Sequence, residues 1–178
     1  MVNEIHDSDM KTLDRLPKSF KLILTVLSLI SFQGCFSQEF RVSTTIVSPL
    51  QITKTADLSF GKLVAGSQNG SVSIGVNNVR TARGGVQLIS SAENSNSAGF
   101  DIVGYPNATF TISMPSQVVI SQGIHNMKVE NFVSSIGNTS TLDTRGIAAL
   151  KVGATLNVNA NQPIGIYTGA FDVTVAYN

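Results

Sequence analysis

Few residues of this chain have the types and spacing that chemistry requires. After residue 37 there is one histidine, His125, in the turn-like stretch Gly123-Ile124-His125-Asn126. A Ser or Thr nucleophile needs a base held beside it, and a lone histidine in a polar turn reads as a solvated side chain instead. No Gly-x-Ser-x-Gly elbow is present. Zinc needs clustered His and Cys ligands, and the carboxylates are too dispersed for a calcium loop. Asp101 and Asp172 both fall in expected strands and read as two exposed strand positions, not a glycosidase pair. Gly84-Gly85 lacks the Lys-Ser/Thr of a phosphate loop. Lys62, Arg80 and Arg83 fall near expected loops, where spacing alone does not establish a patch. The three Asn-x-Ser/Thr matches, at Asn69, Asn107 and Asn138, are what a Ser/Thr/Asn-rich chain produces by chance. The expectation is a non-enzyme with no cofactor and no metal.

Composition narrows the partners. The net charge is +1 and the charged residues after Ser37 are scattered, so neither nucleic acid nor a cationic ligand meets a complementary field. Cys35 is the only cysteine, so no disulfide forms within the chain. About 140 residues beyond it can still bury enough apolar surface to fold. Aromatics are 7 % with no Trp, and Gly, Ser, Asn, Thr and Val dominate after the first third. That balance favours short strands and tight turns over helices.

The first 37 residues read as an address. Lys11, Arg15, Lys18 and Lys21 precede the apolar run Leu22–Ile30, which ends in Ser31-Phe32-Gln33-Gly34-Cys35-Phe36-Ser37. A basic region, a short apolar core and small residues make a secretory signal peptide. The core is shorter than the ~20 residues of a membrane span, so no membrane insertion of the mature chain is expected. Met10-Lys11-Thr12 is a more ordinary beginning than the acidic stretch before it. Cleavage before Gln38 is the favoured route. Lipidation of Cys35 is the alternative, giving an outer-membrane lipoprotein.

The mature chain alternates. Phe40, Val42, Thr44 and Ile46 form one apolar row until Pro49. Residues 38–49 are thus either a first strand or a free N-terminal extension. Strands follow around Leu50/Ile52, Leu58/Phe60, Val72–Val76, Val86–Ser90, Phe100–Gly104, Phe110–Met114, Val118–Ile120 and Met127–Phe132. Ser67–Gly70 reads as a turn, Asn77–Gly85 and Ser91–Gly99 as loops, and Ser134–Gly146 as a soft loop. Ala148, Leu150, Val152, Ala154, Leu156 and Val158 then share one face of a long strand. Nine or ten short strands at this spacing predict an all-β domain over 50–178, two antiparallel sheets packed as a sandwich.

The last stretch runs from Gly165 to Asn178. Tyr167, Phe171, Val173, Val175 and Tyr177 fall on one face, and Thr168, Ala170, Asp172, Thr174 and Ala176 on the other. This is a half-buried strand, and it and the long strand before it are both expected to be central. A glycine fourteen residues from the end and a penultimate tyrosine, with alternating apolar residues between, resemble the C-terminal signature of chaperone–usher pilin subunits. The resemblance implies an immunoglobulin-like fold. It implies a last strand that a periplasmic chaperone grips by strand pairing, with an outer-membrane usher and other fimbrial subunits as partners. On that basis Gly165, Phe171, Val173, Val175 and Tyr177 form the polymerisation edge, and Phe40, Val42, Thr44 and Ile46 the donor row.

Four further pieces, Leu58-Ser59-Phe60-Gly61, Gly84-Gly85-Val86, Val152–Val158 and Gly165–Tyr177, are similar to an uncharacterised family of secreted bacterial domains of unknown function. That likeness implies export and no known catalysis. Many pilins carry a disulfide that this mature chain cannot form. The sequence-based expectation is a structural subunit of a cell-surface fimbria, contributing to adhesion. The alternative is a self-contained, secreted or lipid-anchored surface domain that binds a ligand or glycan.

Overall fold

A computed structural model describes residues 38–89 and 95–178. The signal-peptide reading, Cys35 included, falls on residues 1–37 and lies outside the described residues. The β fold belongs to the unit Ile46–Asn178.

Twelve strands occur among the described residues: β1 (Gln51–Ala56), β2 (Ser59–Phe60), β3 (Leu63–Ile74), β4 (Arg80–Leu88), β5 (Ser95–Asn96), β6 (Ala98–Val103), β7 (Thr109–Ser113), β8 (Gln117–Gln122), β9 (His125–Ser134), β10 (Thr139–Thr141), β11 (Ile147–Val158) and β12 (Thr174–Tyr177). All ladders are antiparallel. β11 is the axis. Val152 pairs with both Ser134 and Ala98, and Leu156 with both Val129 and Val72. Hence β9, followed by β8, lies along one side of β11. On the other side β6–β1 and β3–β4 follow one another, so the sheet forks there and curls. A separate three-stranded sheet has the order β10-β7-β12. The domain is all-β with a curled, partly open sheet, a half-barrel.

Two apolar clusters follow from this layout. In one, Ala98, Ile102, Leu150 and Val152 from the large sheet meet Phe110 and Ile112 from the small one. Here two sheets face each other, and Phe110 and Ile102 are fully buried. In the other, Val72, Val86, Met127, Val129 and Leu156 of the large sheet are not faced by the three-stranded sheet; Leu58, Tyr167 and Phe60, the last from a separate two-stranded sheet of β2 with β5, pack over them. The sandwich expectation therefore holds over one half of the domain.

Alternation is legible in the result. On β11, Leu150, Val152, Ala154, Leu156 and Val158 are all buried. β12 departs from expectation: it is an edge strand, pairing only with β7. Arg80–Gly85 is not a loop but the first part of β4, an edge strand whose polar, glycine-rich pattern hides it. Ser67–Gly70 is not a turn. It lies within β3, whose pairing with β4 shifts register between Ala65 and Gly70. Gly85 makes this possible, because a Cβ there would collide with the Gln68 carbonyl oxygen. The soft loop expected after Ser134 contains β10, which pairs with β7.

Candidate assembly groove

The run from Thr168 to Tyr177 lies along two consecutive strands. Tyr177, Ala176, Val175 and Thr174 pair with Phe110 to Ser113 of β7. Farther back, Thr168 exchanges both backbone hydrogen bonds with Ser121 of β8, at 2.9 and 3.1 Å. The two pairings differ in register by two residues, which the connection Met114-Pro115-Ser116 absorbs. Pro115 brings no N–H to a ladder, so it belongs at such an interruption.

Side chains along this run keep their period. Tyr167, Phe171, Val173, Val175 and Tyr177 are half-buried, and the intervening residues are exposed. Phe171, Val173, Val175 and Tyr177 pack on the two-sheet cluster, and Tyr167 on the other. The Phe171 and Phe132 rings lie 5.1 Å apart, tilted by 40°. The Tyr167 hydroxyl donates to the Pro163 carbonyl and accepts from Gln162 Nε2, each at 2.9 Å. Every apolar residue of the run stops short of full burial, and among the described residues no strand pairs with the outer edge of β12. β12 touches β1 without hydrogen bonding to it.

Beside this run lies a groove of about 890 Å³. Its floor is Ile120, Met127, Val129 and Leu156. One wall is Leu58, Phe60 and Leu63, and the other is Tyr167–Phe171. Lys54, Asp57 and Lys62 also line it, and Lys54 Nζ is paired with Asp57 Oδ1 at 2.5 Å. The floor and much of both walls are apolar, so shape and hydrophobicity rather than charge would decide what fits. Among the described residues no cluster of His, Cys, Asp or Glu is placed to hold a metal. No helix among them is long and apolar enough to cross a membrane.

Residues singled out from the sequence fall into two groups. Phe171, Val173, Val175 and Tyr177 come together on one face, as expected. Gly165 stands apart at the β8 end. Its φ of +157° favours glycine, and a Cβ there would come within 2.6 Å of the Gln122 side chain. Gly169 is constrained by space: a Cβ would lie 2.8 Å from the Val119 carbonyl oxygen of β8. Phe40, Val42, Thr44 and Ile46 belong to no strand; Phe40, Val42 and Ile46 are 85, 98 and 93 % exposed. The plain first-strand reading of residues 38–49 is therefore not what the chain adopts. His125 opens β9 across from Gln122.

Sequence reasoning missed the clamp that shapes one wall. Arg80 Nη1 donates to the carbonyls of Phe60 at 2.7 Å and Lys62 at 3.2 Å, and Nη2 to that of Ile89 at 3.0 Å. A guanidinium's planar fork suits such convergent acceptors. No short-range pattern announces it, because the partners lie nine to twenty residues away.

The family described as domain of unknown function DUF4402 matches residues 50–177. The chain belongs to that family. The matched span takes in β1 through β12 and the whole groove of this DUF4402 domain. No curated protein and no solved structure gave a match.

Proposed function

We propose that this protein is a structural subunit of a bacterial surface fimbria, assembled by donor-strand exchange. In that reading the Phe40-Val42-Thr44-Ile46 row of one copy fills the groove of the next and pairs with the outer edge of its Thr168–Tyr177 run. The observation that carries it is the coexistence of two unsatisfied parts in one chain. One is an exposed segment with alternating apolar residues. The other is an apolar groove beside an unpaired strand edge. Strand addition would supply backbone partners and seat alternate side chains over the open cluster. The domain would then approach a complete immunoglobulin-like sandwich. An edge of this kind left bare invites aggregation, which fits export under a periplasmic chaperone and delivery to an outer-membrane usher. Export would be directed by residues 1–37, and adhesion would follow from display at the surface.

A synthetic peptide spanning Glu39–Ser48 tests this reading. Added to a chain lacking Glu39–Val47, it should bind and raise the melting temperature. Phe171→Arg, which places a charge on the groove wall, should abolish that shift. A peptide that neither binds nor stabilises contradicts the reading.

A second reading rests on the groove alone. Its volume lies within the range of small-molecule pockets. A self-contained secreted or Cys35-anchored domain would then hold an apolar ligand there. That reading predicts a stable monomer indifferent to the peptide.

A further inference from the structure

Exposed apolar residues gather at the two ends of the terminal run. At the β8 end, Ile124, Ile164 and Ile166 are 88, 98 and 83 % exposed. They belong together: Gly165 lies against Gln122, two residues from Ile124, and Thr168 is bonded to Ser121. Ile164 and Ile166 also border the groove. At the Tyr177 end the exposed apolar residues are Val47, Val103, Tyr105 and Ile147. Val103 pairs with both Gln51 and Ile147, and the Tyr105 N–H donates to the Tyr177 hydroxyl. The ends are separated by roughly 30 Å, nine residues of extended chain from Thr168 to Tyr177.

A short tether links these ends across copies. Only Val47–Leu50 separates Ile46 from β1, which begins at Gln51. Four residues reach at most about 14 Å. A copy whose Phe40–Ile46 row sits in another's groove must therefore rest its own Tyr177 end against one end of the recipient's run. The Tyr177 end of that run already holds the recipient's own Ser48, bonded to the Tyr177 hydroxyl, and the groove's lining stops short of it at Phe171. The end at Ile164 and Ile166 borders the groove and is exposed and apolar.

We propose that Ile124, Ile164 and Ile166 form a second contact surface for another copy of this chain, against its Val103, Tyr105 and Ile147. This rests on the donor-strand reading above. The contact is head-to-tail, uses different patches on the two partners, and propagates as an open filament. It fixes the direction of the inserted row, with Ile46 at the Gly165 end, antiparallel to Thr168–Tyr177.

The test uses the full chain with Cys35→Ser. One preparation also carries Ile164→Cys and a second Ile147→Cys. An Ile124→Ser/Ile164→Ser/Ile166→Ser variant is assayed for assembly rate by light scattering. Ile124, Ile147, Ile164 and Ile166 are exposed, and melting curves check that folding is kept. The proposal expects a disulfide between the two preparations when mixed, none within the Ile164→Cys preparation alone, and assembly at least tenfold slower for the triple variant. If the parent chain assembles, the triple variant keeps pace and no mixed disulfide forms, the isoleucine contact is wrong and the donor-strand reading stands. If the parent chain does not assemble at all, the donor-strand reading fails and this contact falls with it.

Discussion

The Tyr177 hydroxyl donates to the Ser48 carbonyl oxygen at 3.0 Å, joining β12 to the residues that lead into β1 across 129 positions of sequence. The same hydroxyl accepts from the Tyr105 N–H at 2.6 Å. Gly104 leaves room for it, since a Cβ there would collide with the hydroxyl and lie 2.8 Å from Leu50 Cδ1. One phenol thus ties three segments at the Tyr177 end of the run.

Tyr177→Phe keeps the ring packed and removes both bonds. It should lower stability by about 1–2 kcal/mol, read as a lower midpoint in urea with an unchanged slope. Gly104→Ala should cost about 1–3 kcal/mol by overpacking the same spot. A Tyr177→Phe protein as stable as the parent would show that the three-way tie contributes nothing.

Arg80→Ala removes the guanidinium donors from three carbonyls of the groove wall, of which that of Lys62 keeps the Ile89 N–H. A loss of about 1.5–3 kcal/mol is expected, with Arg80→Lys recovering only part of it because an ammonium lacks the planar fork. Hydrogen exchange should quicken around Phe60–Lys62 before it does in β11. Uniform behaviour of both variants would rule out the clamp.

Much of this fold is written in period-two patterns, and its gaps have physical causes. β11 and the face Phe171/Val173/Val175/Tyr177 read directly, because alternation survives whenever one side of a strand packs. β4 and the middle of β3 do not, since Arg80-Thr81-Ala82-Arg83-Gly84-Gly85 and Ser67–Gly70 carry turn-like residues in edge and bulged segments. The forking of the sheet at β11 is a matter of which strand follows which along one side, and no local pattern encodes it. Arg80, Gly169 and Ser48 were illegible for a related reason: each acts on a partner brought near only by the fold.

Phe110→Ala probes the half where two sheets face each other. Its ring, carried on β7, is fully buried in the cluster with Ala98 and Ile102 of β6 and Leu150 and Val152 of β11, so about 3–5 kcal/mol should be lost. Met127→Ala, on the cluster that the three-stranded sheet does not face, should cost less and should regain stability when the Glu39–Ser48 peptide is bound. Equal losses, with no recovery, would mean that this half is already complete.

Acid should loosen the turn into β11. The Ile147 N–H, followed by the Arg145 side chain and N–H, holds the Asp143 carboxyl below its ordinary value of 3.8. A depressed carboxyl stabilises the fold above that value and loses its contribution as pH falls through the folded one. Asp143→Asn should therefore lower the melting temperature at neutral pH and flatten the acid side of the profile, the gap to the parent closing as pH falls below about 4. An unchanged acid profile would contradict this role.

The most direct test of the central claim is size-exclusion chromatography with light scattering on Gln38–Asn178, concentrated with and without Glu39–Val47. The account predicts heat- and SDS-resistant ladders that vanish with the deletion, and a deleted form that stays monomeric until the peptide or an intact copy is supplied. A cooperative, concentration-independent monomer in both cases would contradict donor-strand assembly and leave the groove to a ligand.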